Sequence, residues 1–410
     1  MTWRSNLGRH LLRVIGAVCG IQLGTAIVVN TIASLHRKRR KLKRFPYLPP
    51  QELACDDNQL TIFTYGDDLY ASMIEAIDAA HDRVYLESFI WKADSVGLAF
   101  KEALIRAANR GVKVVCIWDA FANLVVPASF FRFPPNIECH SFPLVHGGLT
   151  FWLPRNSGRD HRKILLVDGQ IGYVGGYNLG SLYAHQWRDT HLKVAGDFAL
   201  ELEASFVQMW RIVDQDHHRL TEGSPRPWHP AMRLLRNVPR TSVYPIRSNY
   251  LDAINRATKR IWLTHAYLLP DADLMAALLS AASRGVDVSI IIPETSNHPL
   301  ADWLSRAHYD ALLTGGVKLF LYQGAMIHSK TASIDSIWST IGTANLDRVS
   351  LLGNYEINVE IIDPSVAAKM EAVFRNDLSN CQALSLDTWR ARPYYAQLAE
   401  SILKPLRPLL

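Results

Sequence analysis

The sequence predicts an α/β fold of two similar sheet-and-helix halves, preceded by an N-terminal transmembrane helix. Three observations predict it: an uncharged apolar run near the N-terminus, a repeat of strand and helix patterns, and two copies of one polar motif. The chain of 410 residues is also longer than a single hydrophobic core normally serves. About half of its residues are apolar and about a fifth are charged, which is typical of a folded protein.

The apolar run, VIGAVCGIQLGTAIVVNTIASL at 14–35, contains no charged side chain. A helix of this length crosses a hydrocarbon core of ~30 Å. Three arginines precede the run, and the heavier basic block RKRRKLKR follows it at 37–44. The positive-inside rule therefore predicts a single-pass protein whose later residues are cytoplasmic. No small-residue cleavage site separates the run from the basic block, which argues against a removed signal peptide. A buried or peripheral helix is the alternative, because four polar residues lower the hydropathy of the run.

The positive charge of the chain is concentrated at its N-terminus. The net charge is +6, yet the first 44 residues hold ten of the 44 Lys and Arg residues and no acid, which leaves 34 basic and 38 acidic residues in the body. A nucleic-acid partner is therefore not expected, because such proteins are basic over their folded body. The basic block is expected to attract anionic membrane lipids instead. Gly16, Gly20 and Gly24 stand at GxxxG spacing, which is compatible with a homodimer through this helix.

Beyond the basic block the chain repeats itself. The segment RVYLESFIW at 83–91 is echoed by RIWLTHAYL at 260–268, and AANRGVKVVCIWD at 107–119 by AASRGVDVSIIIP at 281–293. Each copy alternates strand, helix and strand patterns, which predicts a largely parallel sheet in each half. A segment rich in proline and arginine between the copies is interpreted as a linker. The predicted boundaries are a transmembrane helix at 14–35, a basic juxtamembrane linker at 36–58, a first domain at 59–217, a linker at 218–241, a second domain at 242–380 and a C-terminal extension at 381–410.

Two octets carry the same polar pattern: a histidine, a lysine two positions later, and an aspartate five positions after the lysine. They are HRKILLVD at 161–168 and HSKTASID at 328–335. The agreement continues without a gap into a glycine, an asparagine and a carboxylate in each copy: Gly175 and Gly342, Asn178 and Asn345, Asp189 and Glu356. A structural duplication would preserve apolar periodicity, whereas the residues shared here are polar. The pair of motifs therefore indicates a catalytic site.

The residue types suit attack on an anionic phosphodiester. In a strand, a histidine and a lysine two positions apart share one face, so imidazole and ammonium point at one place. One imidazole can act as a neutral nucleophile and the other as a protonated acid if their surroundings separate the two pKa values. Cations and amide donors for the phosphate oxygens come in pairs: Lys163 and Lys330, Asn178 and Asn345.

Two carboxylates in each half have different expected roles. Each imidazole needs a partner on its second ring nitrogen, and Asp189 and Glu356 are the candidates for orienting the histidines. Asp168 and Asp335 lie an odd number of residues beyond their histidines, so strand alternation turns them to the opposite face, where a structural role is expected. No metal or other cofactor is expected, because the remaining histidines have no carboxylate or cysteine companions at ligand spacing.

At these residues the sequence resembles the phospholipase D superfamily, whose signature is this HxKxxxxD motif in two copies, and most closely its bacterial cardiolipin synthases. The resemblance covers nearly everything from about residue 60 onward. It implies two halves related by a pseudo-twofold axis, with one active site between them. It also implies that His161 is the nucleophile that forms a phosphohistidine and that His328 is the acid that protonates the leaving alcohol. The motif residues grouped as catalytic are His161, Lys163, Asp168, His328, Lys330 and Asp335.

The resemblance and the predicted anchor together favour a phosphatidyltransferase of the bacterial cell membrane. The first hypothesis is that it joins two phosphatidylglycerol molecules into cardiolipin and releases glycerol. The alternatives are a phospholipase D that releases phosphatidic acid, a nuclease, which the acidic body disfavours, and a catalytically idle lipid-binding scaffold. The apolar segment 122–154, ahead of the first motif, either guides a lipid acceptor from the bilayer or forms a buried strand and turn.

Overall fold

The computed structural model describes residues 2–39, 44–145, 158–214 and 226–409, together with residues 156 and 220. Two eight-stranded sheets with flanking helices dominate this part of the chain. The two-half α/β fold predicted from the sequence is thereby confirmed.

The first sheet and its helices precede residue 214. Its strands, in chain order, are β1 (Gln51–Cys55), β2 (Asn58–Phe63), β3 (Arg83–Ser88), β4 (Lys113–Asp119), β5 (Ile137–Phe142), β6 (Lys163–Val167), β7 (Ile171–Gly175) and β9 (His191–Ala195), with the short β8 (Trp187–Arg188) outside the sheet. The spatial order is β1-β2-β9-β7-β6-β3-β4-β5. A long helix, α1 (Thr2–Arg39), comes first, followed by α2 (Gly66–Asp78), α3 (Ser95–Asn109), α4 (Ser181–Gln186) and α5 (Ala199–Val213).

The second sheet has the same plan. Its strands are β10 (Met232–Asn237), β11 (Arg260–His265), β12 (Asp287–Pro293), β13 (Lys318–Tyr322), β15 (Lys330–Ile334), β16 (Trp338–Gly342), β17 (Glu356–Ile362) and β18 (Cys381–Leu384), with the short β14 (Met326–Ile327) outside it. The spatial order is β10-β17-β16-β15-β11-β12-β13-β18. The helices are α6 (Pro245–Arg256), α7 (Ala272–Ser283), α8 (Pro299–Ser305), α9 (Tyr309–Thr314), α10 (Arg348–Leu352), α11 (Pro364–Leu378), α12 (Leu386–Arg390) and α13 (Tyr394–Leu403).

Both sheets are mixed rather than largely parallel. Among the described strands of the two sheets, parallel pairing joins β3 to β4 and β4 to β5 in the first, and β11 to β12 and β12 to β13 in the second. The other neighbours run antiparallel, such as β6 with β7 and β15 with β16. The prediction of largely parallel sheets was therefore wrong. Short turns join the strands of each motif region, and a short turn permits only antiparallel pairing.

Three strands lie outside the domain limits predicted from composition. β1 falls in the segment interpreted as a juxtamembrane linker, β10 in the proline-rich linker and β18 in the C-terminal extension. Each is an edge strand of its sheet and pairs antiparallel with its neighbour. The first sheet therefore begins at Gln51, and the second extends from Met232 to Leu384. Short edge strands need few apolar residues, which is why composition alone misplaces them.

The two halves share one hydrophobic core. Its buried members come from the central strands of both sheets and from the helices α5 and α11 that pack on them: Ile164, Val174, Leu192, Trp210, Ile341, Ile357, Val359 and Met370. Burial of aliphatic and aromatic side chains of this size contributes about 1.5–3 kcal/mol each. This shared core fixes the halves relative to each other and brings β6 and β15, the strands of the two motifs, to the same junction.

The helix α1 contains the apolar run. Gly16–Leu35 forms a 20-residue segment that is long and apolar enough to cross a membrane, and only 6% of its most apolar window is buried. The hydroxyls of Thr25 and Thr31 donate to helix carbonyls four residues earlier, each over 2.8 Å. These polar residues are therefore compatible with an apolar surrounding. One side of the helix packs on the body, where Val29 joins a buried cluster with Leu304 and Leu403.

The apolar segment ahead of the first motif has two kinds of structure. Its later part forms the strand β5, and Phe130 and Phe142 are buried. Leu124 and Val125 of its earlier part form an exposed apolar tip together with Phe121, which directly precedes the segment; Val125 is 82% exposed. Residues 146–155 lie outside the described part of the chain. The expectation of a buried strand thus holds for the later part, and guidance of a lipid acceptor by the exposed tip stays a prediction.

Candidate active site

The two motifs meet where the halves join. His161 lies just before β6 and His328 just before β15, and both imidazoles are nearly buried. Lys163 and Lys330 are buried beside them, and each ammonium donates to the carbonyl of the histidine two residues earlier, over 2.6 Å for Lys163. The charges of both lysines act on both histidines. The four side chains therefore surround one place, although they come from segments 167 positions apart.

The backbone crosses between the halves at this place. The His161 amide donates to the carbonyl of Tyr355 over 3.0 Å, one residue before Glu356. The His328 amide donates to the carbonyl of Arg188 over 2.7 Å, one residue before Asp189. The short strands β8 and β14 pair in parallel just ahead of these residues. Each motif therefore enters its sheet alongside the carboxylate segment of the opposite half.

Buried polar contacts hold the crossing in place. Arg188 forms a two-pronged ion pair with Asp377 of the second half, with both nitrogen–oxygen distances at 2.8 Å. The hydroxyls of Thr190 and Ser329 lie 2.7 Å apart. Arg188 and Asp377 are both buried, so loss of either would leave an uncompensated charge in the interior.

The carboxylates predicted to orient the histidines contact them across the halves. Glu356 Oε2 lies 3.0 Å from Nδ1 of His161, and Asp189 Oδ2 lies 2.7 Å from Nδ1 of His328. In the sequence, each carboxylate lies the same number of residues beyond the histidine of its own half. This equal spacing does not indicate that each carboxylate contacts the histidine of the other half. The crossing makes each half incomplete alone. It leaves the Nε2 atoms of the two imidazoles as the groups available for chemistry.

Burial shifts the pKa values of the two imidazoles and of the two carboxyl groups that contact them. Burial, together with the two lysine charges, holds the pKa of both His161 and His328 well below the usual histidine value. Burial also raises the pKa of Glu356 to about 8 and that of Asp189 above its ordinary value. These shifts favour the neutral forms of the two imidazoles and of Glu356. An anionic ligand reverses this preference for the cationic groups, because it favours their charged forms.

The two lysines respond to the same burial. Burial lowers the pKa of Lys163 to about 7 and that of Lys330 to about 8, against the opposing attraction of Glu356 and Asp189. Buried ammonium groups without a full complement of anions are expected to bind an anion strongly. The pocket therefore suits a phosphate group that lies between the two imidazoles.

The two asparagines of the motifs are also buried at the junction. The side-chain oxygen of Asn178 accepts the amide of Ile90 over 3.2 Å, which leaves its NH2 group as a donor. The side-chain oxygen of Asn345 has no hydrogen-bond partner in the described part of the chain, although it is buried. A buried polar atom without a partner is uncommon and is typical of binding sites.

The two motif aspartates lie away from the pocket. Asp168 accepts the backbone amides of residues 81–83, each over 2.9 Å. Asp335 accepts those of residues 258–260 in the same way, over 2.7–2.9 Å. Burial alone would raise the pKa of both carboxyls, but the backbone donors hold it below the ordinary value. These contacts anchor the end of each motif strand to the start of its neighbour, which supports the structural role expected from strand alternation; the grouping of Asp168 and Asp335 with the catalytic residues stays a prediction.

Aromatic rings cover the imidazoles. The ring of Phe89 lies 4.7 Å from that of His161, and Trp187 lies 4.9 Å from that of His328. Tyr267 lies 6.4 Å from His328. In the sequence, Phe89 and Tyr267 carry no signal beyond their place after an apolar strand. The buried Glu87 pairs with the buried Arg162 at 2.6 Å.

Two α/β halves that bring paired histidines and lysines together at their junction define a two-motif phospholipase D-like enzyme. The chain belongs to the family described as cardiolipin synthase, PLD-like domain, which matches residues 73–210 and 250–378. The resemblance noted from the motifs is thereby confirmed. Both matched segments include a complete motif.

Curated relatives and solved structures agree with this assignment. The chain is 29% identical to the major cardiolipin synthase of Bacillus subtilis (strain 168), over 87% of this chain and 76% of that protein. It is 30% identical to cardiolipin synthase 1 of Staphylococcus epidermidis, over 91% of this chain and 78% of that protein. The phosphatidylserine synthase of Haemophilus influenzae Rd KW20 shares the fold, with a TM-score of 0.66, 14% identity, and coverage of 88% of this chain and 94% of that one.

Proposed function

We propose that this chain is a membrane-bound phosphatidyltransferase that makes cardiolipin from two phosphatidylglycerol molecules through a phosphohistidine. The observation that carries the proposal is the crossed pair of imidazole–carboxylate contacts around two buried lysines. The names of the curated relatives support the choice of lipid.

The hydrogen bonds around Glu356 support His161 as the nucleophile. Thr343 accepts the amide of Ile357 and donates its hydroxyl to Oε2 of Glu356, the same oxygen that faces His161. Because Oε2 accepts the hydrogen bond from the threonine, this oxygen carries no proton and accepts a second hydrogen bond from Nδ1–H of His161. With the proton of the neutral imidazole on Nδ1, the lone pair of Nε2 is free to attack phosphorus. Any proton on Glu356 would sit on Oε1, which has no partner in the described part of the chain. A neutral Glu356 favours a neutral imidazole.

The surroundings of Asp189 support His328 as the acid. Oδ1 of Asp189 accepts the amide of Thr190 over 2.7 Å, and Lys330 and Arg188 attract its charge. These contacts favour the ionised form of Asp189 against the effect of its burial. An ionised Asp189 and the anionic substrate together raise the pKa of His328, so that its Nε2 carries the proton that a leaving alcohol needs.

The transfer takes two steps. In the first, Nε2 of His161 forms a bond to phosphorus, the bond from phosphorus to the head-group glycerol oxygen breaks, and His328 gives its proton to that oxygen. In the second, a hydroxyl of another phosphatidylglycerol gives its proton to His328 while its oxygen attacks phosphorus. The phosphorus–nitrogen bond then breaks and His161 is restored. Lys163, Lys330, Asn178 and Asn345 hold the phosphate oxygens in both steps.

The competing reaction is hydrolysis, in which water takes the place of the second lipid and phosphatidic acid results. The apolar tip formed by Phe121, Leu124 and Val125 favours the lipid acceptor. Phe121 lies 5.2 Å from the guanidinium of Arg159, two residues before His161, so the tip borders the pocket entrance. An apolar entrance that faces a bilayer admits a lipid alcohol and limits water.

The proposed location is the bacterial cell membrane, with α1 spanning it once and the catalytic halves in the cytoplasm. The apolar segment and the basic block that follows it support this orientation. Pairing of two chains through the glycine stripe of α1 stays a prediction, because one chain already contains both histidines and both carboxylates.

Product analysis tests the proposal. The purified protein is incubated with phosphatidylglycerol labelled in its head group and one acyl chain, and the products are separated by mass. Cardiolipin and free glycerol in equal amounts are expected. His161→Asn and His328→Asn should each abolish both products. Phosphatidic acid as the main lipid product would replace the transferase with a phospholipase D.

A further inference from the structure

A large cavity lies between one part of α1 and the rest of the body. Its volume is about 880 Å³, within the range of ligand sites. One wall is the apolar face of α1 that carries Gly24, Val28 and Ile32. The opposite wall comes from α8, α12 and α13 and includes Trp303 and Ala399.

The position of α1 determines how deep in the membrane this cavity lies. Val29 packs on Leu304 of α8 and Leu403 of α13, and the Gln22 amide donates to the carbonyl of Ile402 over 3.4 Å. A 20-residue apolar segment has little length to spare in crossing a hydrocarbon core of ~30 Å. If α1 spans the bilayer, the parts of α8 and α13 that pack against its middle turns therefore reach the depth of the lipid, and the remainder of the catalytic halves lies in the cytoplasm. The exposed Tyr394 at the start of α13 is the kind of side chain that lies at a membrane interface.

One loop has the cavity on one side and the catalytic pocket on the other. Glu294, Thr295 and Pro299 line the cavity. Between them, the side chain of Asn297 accepts the hydroxyl of Tyr267 over 2.6 Å, and Tyr267 faces the imidazole of His328. The loop and the ring of Tyr267 therefore connect the wall of the cavity to the surroundings of His328.

The charges that line the cavity balance. Arg306 stacks on Trp303 at 4.6 Å, and Arg392 is paired with Glu400. Glu294 and Asp302 supply the opposite sign on the same walls. The lining therefore offers no net charge to a head group, and its apolar part has to select the occupant.

We infer that this cavity binds an acyl chain of the phospholipid substrate while the phosphate of that lipid occupies the pocket between His161 and His328. The inference rests on the proposed function for the identity of the substrate. It assigns α1 a role in substrate binding beyond anchoring. Binding of the chain would also hold the reactive phosphate out of the bilayer plane, where His328 can reach its leaving group.

The glycines of α1 provide a matched pair of variants. A Cβ added at Gly24 or at Gly20 meets no atom within 4 Å, so neither position is closed to a side chain and leucine is the chosen substitution at both. Gly24 lines the cavity and Gly20 does not. Gly24→Leu therefore places a side chain in the cavity, whereas Gly20→Leu makes the same change one turn away. Both substitutions also favour the helix.

The first measurement uses the full chain in lipid nanodiscs with phosphatidylglycerol that carries a photoreactive diazirine on one acyl chain. Labelling of α13 peptides that contain Ala399 is expected in the wild-type chain and in Gly20→Leu, with a loss of about tenfold in Gly24→Leu, as expected when roughly two methylene groups lose their burial. Absence of α13 labelling in the wild type, or equal labelling in the two variants, would overturn the inference. This measurement needs no turnover.

The second measurement compares long-chain with dihexanoyl phosphatidylglycerol as donors. Gly24→Leu is expected to raise KM for the long-chain lipid about tenfold with little change for the short-chain lipid, while Gly20→Leu leaves both near wild type. Equal effects of the two variants would overturn the inference. A wild-type chain that makes no cardiolipin yet labels α13 would reject the proposed function alone and would support the lipid site.

Discussion

Replacement of Asp189 by asparagine tests both the crossed pairing and the role of His328 as the acid. The contact of 2.7 Å between Asp189 and Nδ1 of His328 becomes charge-assisted once the imidazole is protonated. A hydrogen bond of this kind contributes about 1.5–3 kcal/mol. Its loss should therefore slow the protonation of the leaving glycerol by about 10- to 150-fold.

The assay compares two donors that differ only in their leaving group, phosphatidylglycerol and phosphatidyl-p-nitrophenol, in the first turnover. Nitrophenolate is a weak base that leaves without a proton, so Asp189→Asn should release it within about threefold of the wild-type rate. The control is Glu356→Gln, which weakens the orientation of the nucleophile His161 and should slow both donors alike.

Two outcomes would refute this reasoning. Equal losses with both donors in Asp189→Asn, together with recovery of Glu356→Gln on the nitrophenyl donor, would exchange the roles of the two histidines. Wild-type rates in both variants would mean that the crossed contacts have no part in the reaction.

Three other predictions concern charged side chains that are buried or partly buried. Asp168→Asn should lower the free energy of unfolding by about 2 kcal/mol with little change in kcat; a large loss of kcat at unchanged stability would restore a catalytic role. Because backbone donors hold the pKa of Asp168 low against burial, this stabilisation is full above the ordinary aspartate pKa and is lost as pH falls through the folded-state value. Burial lowers the pKa of Lys163 to about 7 and of Lys330 to about 8, so kcat/KM should fall as pH rises through this range, while the fall in kcat lies at higher pH because bound phosphodiester favours the charged ammonium. Coincident alkaline limbs in the two pH profiles would contradict that electrostatic account. Arg188→Met should cost about 3–5 kcal/mol in a denaturant titration, and Arg188→Met combined with Asp377→Leu should recover most of it; a single variant as stable as wild type would show that the pair does not hold the halves together.

The sequence identifies the site residues because their chemistry is local. A histidine and a lysine two positions apart on a strand must share a face, so Lys163 follows from the position of His161 alone. The same alternation separates Asp168 from the pocket, and its three backbone contacts agree with that geometry. The apolar N-terminal segment is also a local signal of length and composition.

The partner of each histidine is not a local property. It depends on the amide of His161 reaching the carbonyl of Tyr355, a contact between distant parts of the chain. The equal offsets of Asp189 and Glu356 would be the same with or without the exchange. The prediction of strand direction was wrong for a related reason. The strand-helix-strand pattern predicts parallel pairing only for the strands that it joins, whereas the short turn between β6 and β7 sets antiparallel pairing in the motif region.

The cavity beside α1 also escapes sequence reasoning. Its walls come from a helix at the N-terminus and from three helices near the C-terminus, and no motif links them. The glycine stripe suggested contact between two chains, yet Gly24 faces a cavity within its own chain.

The central claim is that one site, completed by both halves, transfers a phosphatidyl group through His161. The most direct measurement is trapping of the intermediate at low temperature, by rapid mixing with labelled phosphatidylglycerol and rapid digestion under alkaline conditions that preserve the acid-labile phosphohistidine, followed by peptide mass spectrometry. The account predicts a phosphatidyl adduct on the peptide that contains His161, in the wild type but not in His161→Asn. An adduct on the His328 peptide instead, or turnover without any histidine adduct, would contradict it.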